Sequence, residues 1–273
     1  MRNFFDRSGL ASLEDLDHVE YKIFFEKIEI VQRQFSELED QFRSSTYKWP
    51  KDSLHCWSRC WEYPYVLHHL KKYKEDRKEI IVDIGCGVTF FPFCIAREGF
   101  DVIGVDIDPI VELDLLKAAT IVPSLPASIS FRSTDGETLP FAESEVDKIY
   151  CISVLEHIPD PSKTIDEFAR VLKKGGILIL TIDIDLEGNF DIGPQKFLSL
   201  RDVLQKYFEW REHETTIHPI RILRSNNGPY PLYSIKGTGK LSRYIKDVVR
   251  HLLGRERTVR YNLACYGAVF IRK

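Results

Sequence analysis

The sequence predicts an α/β protein built on a mostly parallel sheet, and three observations carry that prediction. The apolar run at residues 80–84 closes on a turn with two glycines, Gly85-Cys86-Gly87. A helix-compatible segment follows from about residue 90 to 97, and a second apolar run at 102–105 ends in Asp106. Residues 177–182 are continuously apolar, as a parallel strand covered on both faces is. Strand, glycine turn, helix, strand and acid in that order form a βαβ unit suited to a nucleoside-like ligand. The glycines let the backbone approach the ligand, and the helix N-terminus offers unpaired N–H groups and a partial positive charge. Asp106 is placed to accept bonds from both ribose hydroxyls.

The remaining elements follow in chain order. Ser12-Leu13-Glu14-Asp15 has the pattern of a capping box. Tyr21, Phe24, Ile28, Val31, Phe35, Leu38 and Phe42 then step by three and four, which predicts one long helix with an apolar seam. The seam reads either as a face packed on its own domain or as a homodimer contact. Residues 1–78 thus form a helical extension ahead of a domain at 79–273. Just before that domain, Trp57, Trp61, Tyr63 and Tyr65 crowd around Arg59 and Glu62. His55, Cys56 and Cys60 lack a second ligand pair at a zinc spacing, so no metal is expected.

Beyond the first βαβ unit, residues 146–151 read as a strand. Asp160-Pro161 is an N-cap followed by proline at the first helical position. Ile165, Phe168, Ala169 and Leu172 keep the helical period, and Lys173-Lys174-Gly175-Gly176 has the cations and glycine of a helix end. The stretch from Asp183 to Asp191 is an acidic loop, read as solvated or as a hydrogen-bonding edge for a polyol. Residues 207–217 and 261–271 read as the last two strands. The 218–260 insertion between them holds an amphipathic helix of Leu241, Tyr244, Ile245, Val248, Val249, Leu252 and Leu253. Residues 236–260 carry eight Lys or Arg against Asp247 and Glu256. That excess is read as a docked helix with a solvated face, a lid, a grip on phosphate groups, or peripheral contact with an anionic membrane.

Composition narrows the class. The 273 residues suffice for one α/β domain with an appendage. Hydrophobic content of 44% and charged content of 29% are those of a globular protein. A net charge of −3 argues against a nucleic-acid partner held by bulk charge. No apolar run reaches the roughly 18 residues of a membrane span, and Met1 to Leu10 lacks a signal-peptide core. The six cysteines do not form a disulfide framework. A cytoplasmic location is expected.

The turn separates cofactor classes. A dinucleotide site wants a third glycine where Phe90 stands, which disfavours a nicotinamide oxidoreductase. Asp83-x-Gly85-x-Gly87 instead resembles the first motif of class I S-adenosylmethionine-dependent methyltransferases, with Thr89 where that family often has a further glycine. Asp135-Gly136-Glu137-Thr138-Leu139-Pro140-Phe141 and Ser153-Val154-Leu155-Glu156-His157-Ile158 resemble later segments of the family's small-molecule branch, the methyltransferase type 11-like core. The resemblance is firm over residues 79–183. It implies a Rossmann-like seven-stranded, mostly parallel sheet with helices on both faces and an antiparallel last strand.

It also implies S-adenosyl-L-methionine as cofactor. Arg59 is then the candidate for the methionyl carboxylate, or else stacks on Trp57 or Trp61; Asp83 is the candidate for the ammonium, Asp106 for the ribose and Asp135 for the adenine amine. Gly85, Cys86, Gly87, Ile107, Gly136, Glu137 and Cys151 complete the cofactor contacts. Methyl transfer is an in-line displacement in which alignment matters most. His157 is the candidate base for a hydroxyl acceptor, or else packs its loop, with His213 and His218 as alternatives. A related Glu-x-x-Glu-His group binds a divalent metal, but Ser153 replaces its first Glu. The expected reaction is methylation, at oxygen, of a small-molecule or glycan-type acceptor that carries phosphate if the basic insertion grips it. N-methylation of a small amine and a catalytically silent cofactor-binding scaffold are the alternatives.

Overall fold

The computed structural model describes residues 4–123, 126–187, 192–232 and 262–273. The expected helix at 241–253 and its basic flanks lie outside the described residues. Along the chain the elements are β1 (Gly9–Leu10), α1 (Val19–Phe42), α2 (Arg59–Lys72), β2 (Ile81–Ile84), α3 (Phe91–Arg97), β3 (Val102–Asp106), α4 (Pro109–Ile121) and β4 (Ile129–Ser133). Then come β5 (Val146–Ile152), α5 (Pro161–Val171), β6 (Leu172–Asp185), α6 (Pro194–Tyr207), β7 (Phe208–Trp210) and β8 (Leu263–Arg272).

One sheet of eight strands organises the chain, in the order β1-β8-β6-β5-β2-β3-β4, with β7 also paired to β8. The strands β2 to β6 pair in parallel, and β8 runs antiparallel to β6, β1 and β7. The sequence expectation of seven strands is corrected by β1, a two-residue strand too short to show a period. The order reverses between β2 and β5: the chain builds outward from β2 to β4, then returns to lay β5 against the other side of β2. Open α/β sheets bind ligands at such a switch point, beyond the carboxyl ends of the strands.

Both faces of the sheet are covered, which explains its unbroken apolar strands. Ile81, Val102, Tyr150, Ile179 and Val269 enter one core with Phe35 of α1, Trp61 of α2, Phe93 of α3 and Leu115 of α4. Val82, Ile149, Leu178, Leu180 and Ala268 enter the other with Phe168 of α5 and Leu200 and Leu204 of α6. The seam of α1 belongs to the first core: Tyr21, Ile28, Val31, Phe35 and Phe42 are buried against the chain's own helices. A homodimer through this seam would have to displace that packing.

Three local expectations change. The Ser12 capping box is present, but it caps a short 3-10 turn over Leu13–Asp17, and α1 starts only at Val19. Helix α5 ends at Val171, and Lys173 to Gly176 form the entry of β6, because Leu172 already pairs with Val146 of β5. The strand expected over 207–217 keeps only Phe208–Trp210, whose register on β8 runs from Arg272 to Phe270. After Trp210 the chain leaves the edge, since β1 occupies β8 at Tyr266 and Gly267.

Candidate functional site

At the switch point the β2 turn and the β5 turn meet. Gly85 and Gly87 have φ of +66° and +50°, the left-handed region that glycine enters without a Cβ penalty. A Cβ on Gly85 would lie 2.6 Å from the Val154 side chain. The turn is closed from the neighbouring strand: Asp106 at the end of β3 accepts from the Gly87 N–H at 3.0 Å with one oxygen and from the Asp108 N–H at 3.0 Å with the other. The glycine turn and the ribose candidate thus form one hydrogen-bonded unit.

Next to it, Ile107 exposes 67% of its surface, unusual for a large apolar side chain. Gly136 faces it, with a position 3.3 Å from Ile107 Cγ2 where a Cβ would sit. The pair leaves a bare apolar platform of the kind a flat ring covers. Asp135 stands at its side, exposed, with Oδ1 accepting the N–H groups of Glu137 and Thr138, bonds that hold its carboxyl below the ordinary range. Ile107 and Gly136 are therefore neighbours, with Asp106 and Asp135 next to them in the chain.

Three other expected contacts are placed deeper. Asp83 is buried, in register with Tyr150, and burial pushes its carboxyl well above the usual carboxylate range. Cys86 turns its sulfur against Gly104, and Cys151 packs in the second core. Any part these cysteines take in holding a cofactor is through main-chain atoms.

The stretch before residue 79 supplies what the motifs do not show. The Ser44 N–H and hydroxyl both donate to Asp114 of α4, at 2.7 and 2.6 Å. This anchors the end of the extension and brings Tyr47 over the glycine turn. The Tyr47 hydroxyl accepts the Val88 N–H at 3.0 Å and lies 2.9 Å from where a Gly87 Cβ would be. Burial pushes its pKa up to about 12.

Arg59 opens α2 and lies among acids. It pairs with Glu62, donates to the Ser153 hydroxyl at 2.9 Å and reaches within 4.0 Å of Asp52. Its guanidinium sits over the Tyr63 ring at 5.7 Å rather than on either tryptophan named by proximity in sequence. Glu62 is fully buried and also accepts from the Ser153 and Thr181 hydroxyls, each at 2.6 Å. Burial raises its pKa, but Arg59 and the two hydroxyls outweigh burial and hold Glu62 below the ordinary glutamate value. Ser153 bridges them with φ of +50°, a conformation disfavoured for any residue with a Cβ. The surrounding bonds hold it there.

Of the adjacent pair Glu156-His157, the glutamate faces inward. His157 is exposed on the 3-10 turn Leu155–His157. Glu156 is 3% exposed and accepts the Asp183 N–H at 3.0 Å. Burial raises its pKa to about 8. Burial and the nearby Glu62 and Glu156 raise Asp183 well above its usual range. Nothing in the sequence marked Tyr47 or Thr181, and it offered Glu62 only as a neighbour of Arg59 and Glu156 only as the partner of His157 in their motif. The Arg59–Glu62 spacing was the one visible signal, since i and i+3 share a helix face.

The other candidates sit elsewhere. His213 and His218 are exposed, and His218 accepts the Ile220 N–H. His55 lies 2.9 Å from Glu29, and the Cys60 sulfur donates to the Trp57 carbonyl. No helix among the described residues is long and apolar enough to cross a membrane.

Comparison with known proteins agrees with this geometry. Residues 82–180 match a family described as "Methyltransferase domain". An uncharacterized methyltransferase from Mycobacterium sp. (strain JLS) is 29% identical over 135 residues, covering 49% of this chain and 51% of the relative. A ubiquinone biosynthesis O-methyltransferase from Hahella chejuensis is 35% identical over 102 residues, 37% of this chain and 42% of the relative. The chain thus spans about half the length of the curated relatives it matches. Among solved structures, the [4+2]-cyclase SpnF superposes with a TM-score of 0.53 at 15% identity, covering 98% of this chain and 99% of that one. At that identity the likeness is one of fold. Residues 82–180 thus match a methyltransferase domain, and the sheet order and the glycine turn tied to Asp106 agree with that match.

Proposed function

We propose that this protein transfers a methyl group from S-adenosyl-L-methionine to a small-molecule acceptor. The observation that carries the reading is the hydrogen bond from the Gly87 N–H to Asp106, which locks turn and acid together beside the bare Ile107–Gly136 platform. Asp106 would take the ribose, the platform the adenine ring and Asp135 its amine. Arg59 would take the methionyl carboxylate by exchanging part of its contact with Glu62, and Tyr47 would cover the turn. The bound cofactor supplies an electrophilic sulfonium methyl. The chain's residues then hold the acceptor in line and exclude water.

Transfer to oxygen is supported by the names of the O-methyltransferase relatives over the stretches they share. Transfer to nitrogen is favoured by a different observation, the acid cluster of Glu62, Glu156 and Asp183 beside the β5 turn. His157, exposed at the rim, remains the candidate base for an oxygen acceptor. Calorimetric titration with S-adenosylhomocysteine and with NAD tests the cofactor class. Micromolar binding of the first and none of the second is expected, and the reverse would refute the reading. Methylated product from a panel of phenols, sugars and amines, identified by mass spectrometry, then fixes the atom methylated. Tight S-adenosylhomocysteine binding without turnover of any member would point to a scaffold.

A further inference from the structure

The acid cluster lies on the β5–β6 side of the switch point, away from Asp106 and Asp135 on the β3–β4 side. Three carboxylates, Glu62, Glu156 and Asp183, influence one another there, and Arg59 is the one cation among the described residues that acts on all three. Arg59 is already committed to Glu62, whose oxygens are saturated by the guanidinium and two hydroxyls. That leaves two orphans: Glu156 Oε2 and Asp183 Oδ1 are buried without a hydrogen-bond partner. Glu156 is itself more than nine-tenths buried, so water does not repay its missing bond. Burial holds both acids above their ordinary range, and a ligand that brings donors and positive charge would let them ionise and fill the two unpartnered oxygens.

We propose that the methyl acceptor carries a protonated amine and that Glu156 and Asp183 receive it. The proposal rests on the methyl-transfer reading for the word acceptor, but the site itself does not depend on it. An alkylammonium offers three donors and one charge, enough for both orphan oxygens. Charge-assisted bonds of this kind are about twice as strong as neutral ones. A divalent metal fits less well. Glu62, Asp183 and Cys265 approach one another closely, but both Glu62 oxygens are spent and burial pushes the Cys265 thiol well above its ordinary pKa. A hard cation wanting about six oxygen ligands would find two. The groups facing the pair are Arg59 and Glu62 from α2, Cys56 before it, Cys151 from β5 and Cys265 from β8. None of them is a second cation. The amine is a docking group here, and whether it or a neighbouring hydroxyl is methylated is a separate question.

The test uses the full chain, with and without S-adenosylhomocysteine. Butylammonium and phenethylammonium are titrated by NMR and calorimetry against 1-butanol and 2-phenylethanol, their neutral counterparts. The ammonium of each pair should bind at least about tenfold tighter, and the Glu156→Gln/Asp183→Asn double variant should abolish the difference. Where the double variant fails to fold, carboxyl carbon NMR of the wild type decides. Saturating butylammonium should bring the Glu156 titration, near pH 8 without ligand, down toward the ordinary glutamate range. Equal affinity for amine and alcohol, no binding of either, or an unmoved Glu156 titration would overturn the proposal. An intact amine preference in a chain that does not bind S-adenosylhomocysteine would instead sink the methyl-transfer reading and leave the amine site standing.

Discussion

The two halves of the candidate site are built by different means. On the β3–β4 side the donors are backbone N–H groups, most of them close in sequence: Asp106 reaches Asp108 as well as the more distant Gly87, and Asp135 reaches Glu137 and Thr138. On the β5–β6 side the partners are side chains far apart in the chain, Glu62 with Ser153 and Thr181, Arg59 with Ser153. A backbone-built half tolerates sequence change as long as the turn survives. A half built from buried charge does not, since each member is satisfied only by the others. The difference teaches that topology sets the geometry of the β3–β4 half, whereas a few mutually dependent side chains set that of the β5–β6 half.

The sharpest way to break this contrast is Glu62→Ala. It strands the Arg59 guanidinium and two hydroxyls, and we expect a loss of about 3 kcal/mol in urea denaturation, the lower end for breaking a buried pair because Arg59 retains some solvent contact. A loss below about 1 kcal/mol would mean that the cluster behaves as ordinary surface charge.

Glu156 gives a pH signature next. Its folded pKa of about 8 lies above the unfolded glutamate value of 4.5, so the native state holds a proton that the unfolded chain has released. Its stabilising contribution is complete below the unfolded value and is lost as pH rises from there to about 8. Asp183, raised by burial first, acts in the same direction. Denaturation midpoints measured from pH 5 upward should fall more steeply in the wild type than in Glu156→Gln, and parallel curves would contradict the buried acid.

On the cofactor side, Asp106→Ala removes both the ribose acceptor and the tie to the turn. S-adenosylhomocysteine affinity by calorimetry should fall at least about tenfold, as charged hydrogen bonds of about 1.5–3 kcal/mol imply. Tyr47→Phe removes one acceptor from the Val88 N–H and should weaken the same ligand about fivefold, the scale of a single neutral bond. If Tyr47→Phe cost more than Asp106→Ala, the extension rather than the strand end would govern cofactor binding. The smallest effect is expected for Asp135→Asn. It should shrink the preference for S-adenosylhomocysteine over its inosine counterpart by roughly a few fold, since an amide can donate where a carboxylate only accepts.

How far the sequence was legible follows the same division. The βαβ unit and the order of strands from 79 to 183 were readable because each rests on patterns within a turn or two. The α1 seam was readable as a helix, but its partner was not. Periodicity shows that a face is apolar and says nothing of what covers it. The Ser12 capping box was visible, yet one residue class serves a 3-10 turn as well as an α-helix. Tyr47 and Glu62 were not legible as site residues, since their roles come from contacts 41 and up to 119 residues away. His157 drew attention by its chemistry, while its neighbour Glu156 carries the burial. Which of two adjacent side chains turns inward depends on the Val154–Leu155 backbone and not on residue type.

The two-residue strand β1 has a consequence for synthesis. It pairs with Tyr266 and Gly267 of β8, so it stays without its partner until that distant strand is made. With about 250 residues between them and translation at roughly 5–20 residues per second, the wait lasts on the order of ten seconds to a minute. Throughout it, β6 presents the apolar run Ile177 to Ile182 along an edge that only β8 will cover. A growing chain with an uncovered edge of that kind is a target for adhesion to its neighbours. Demand for chaperones should therefore fall once β8 has paired with β6.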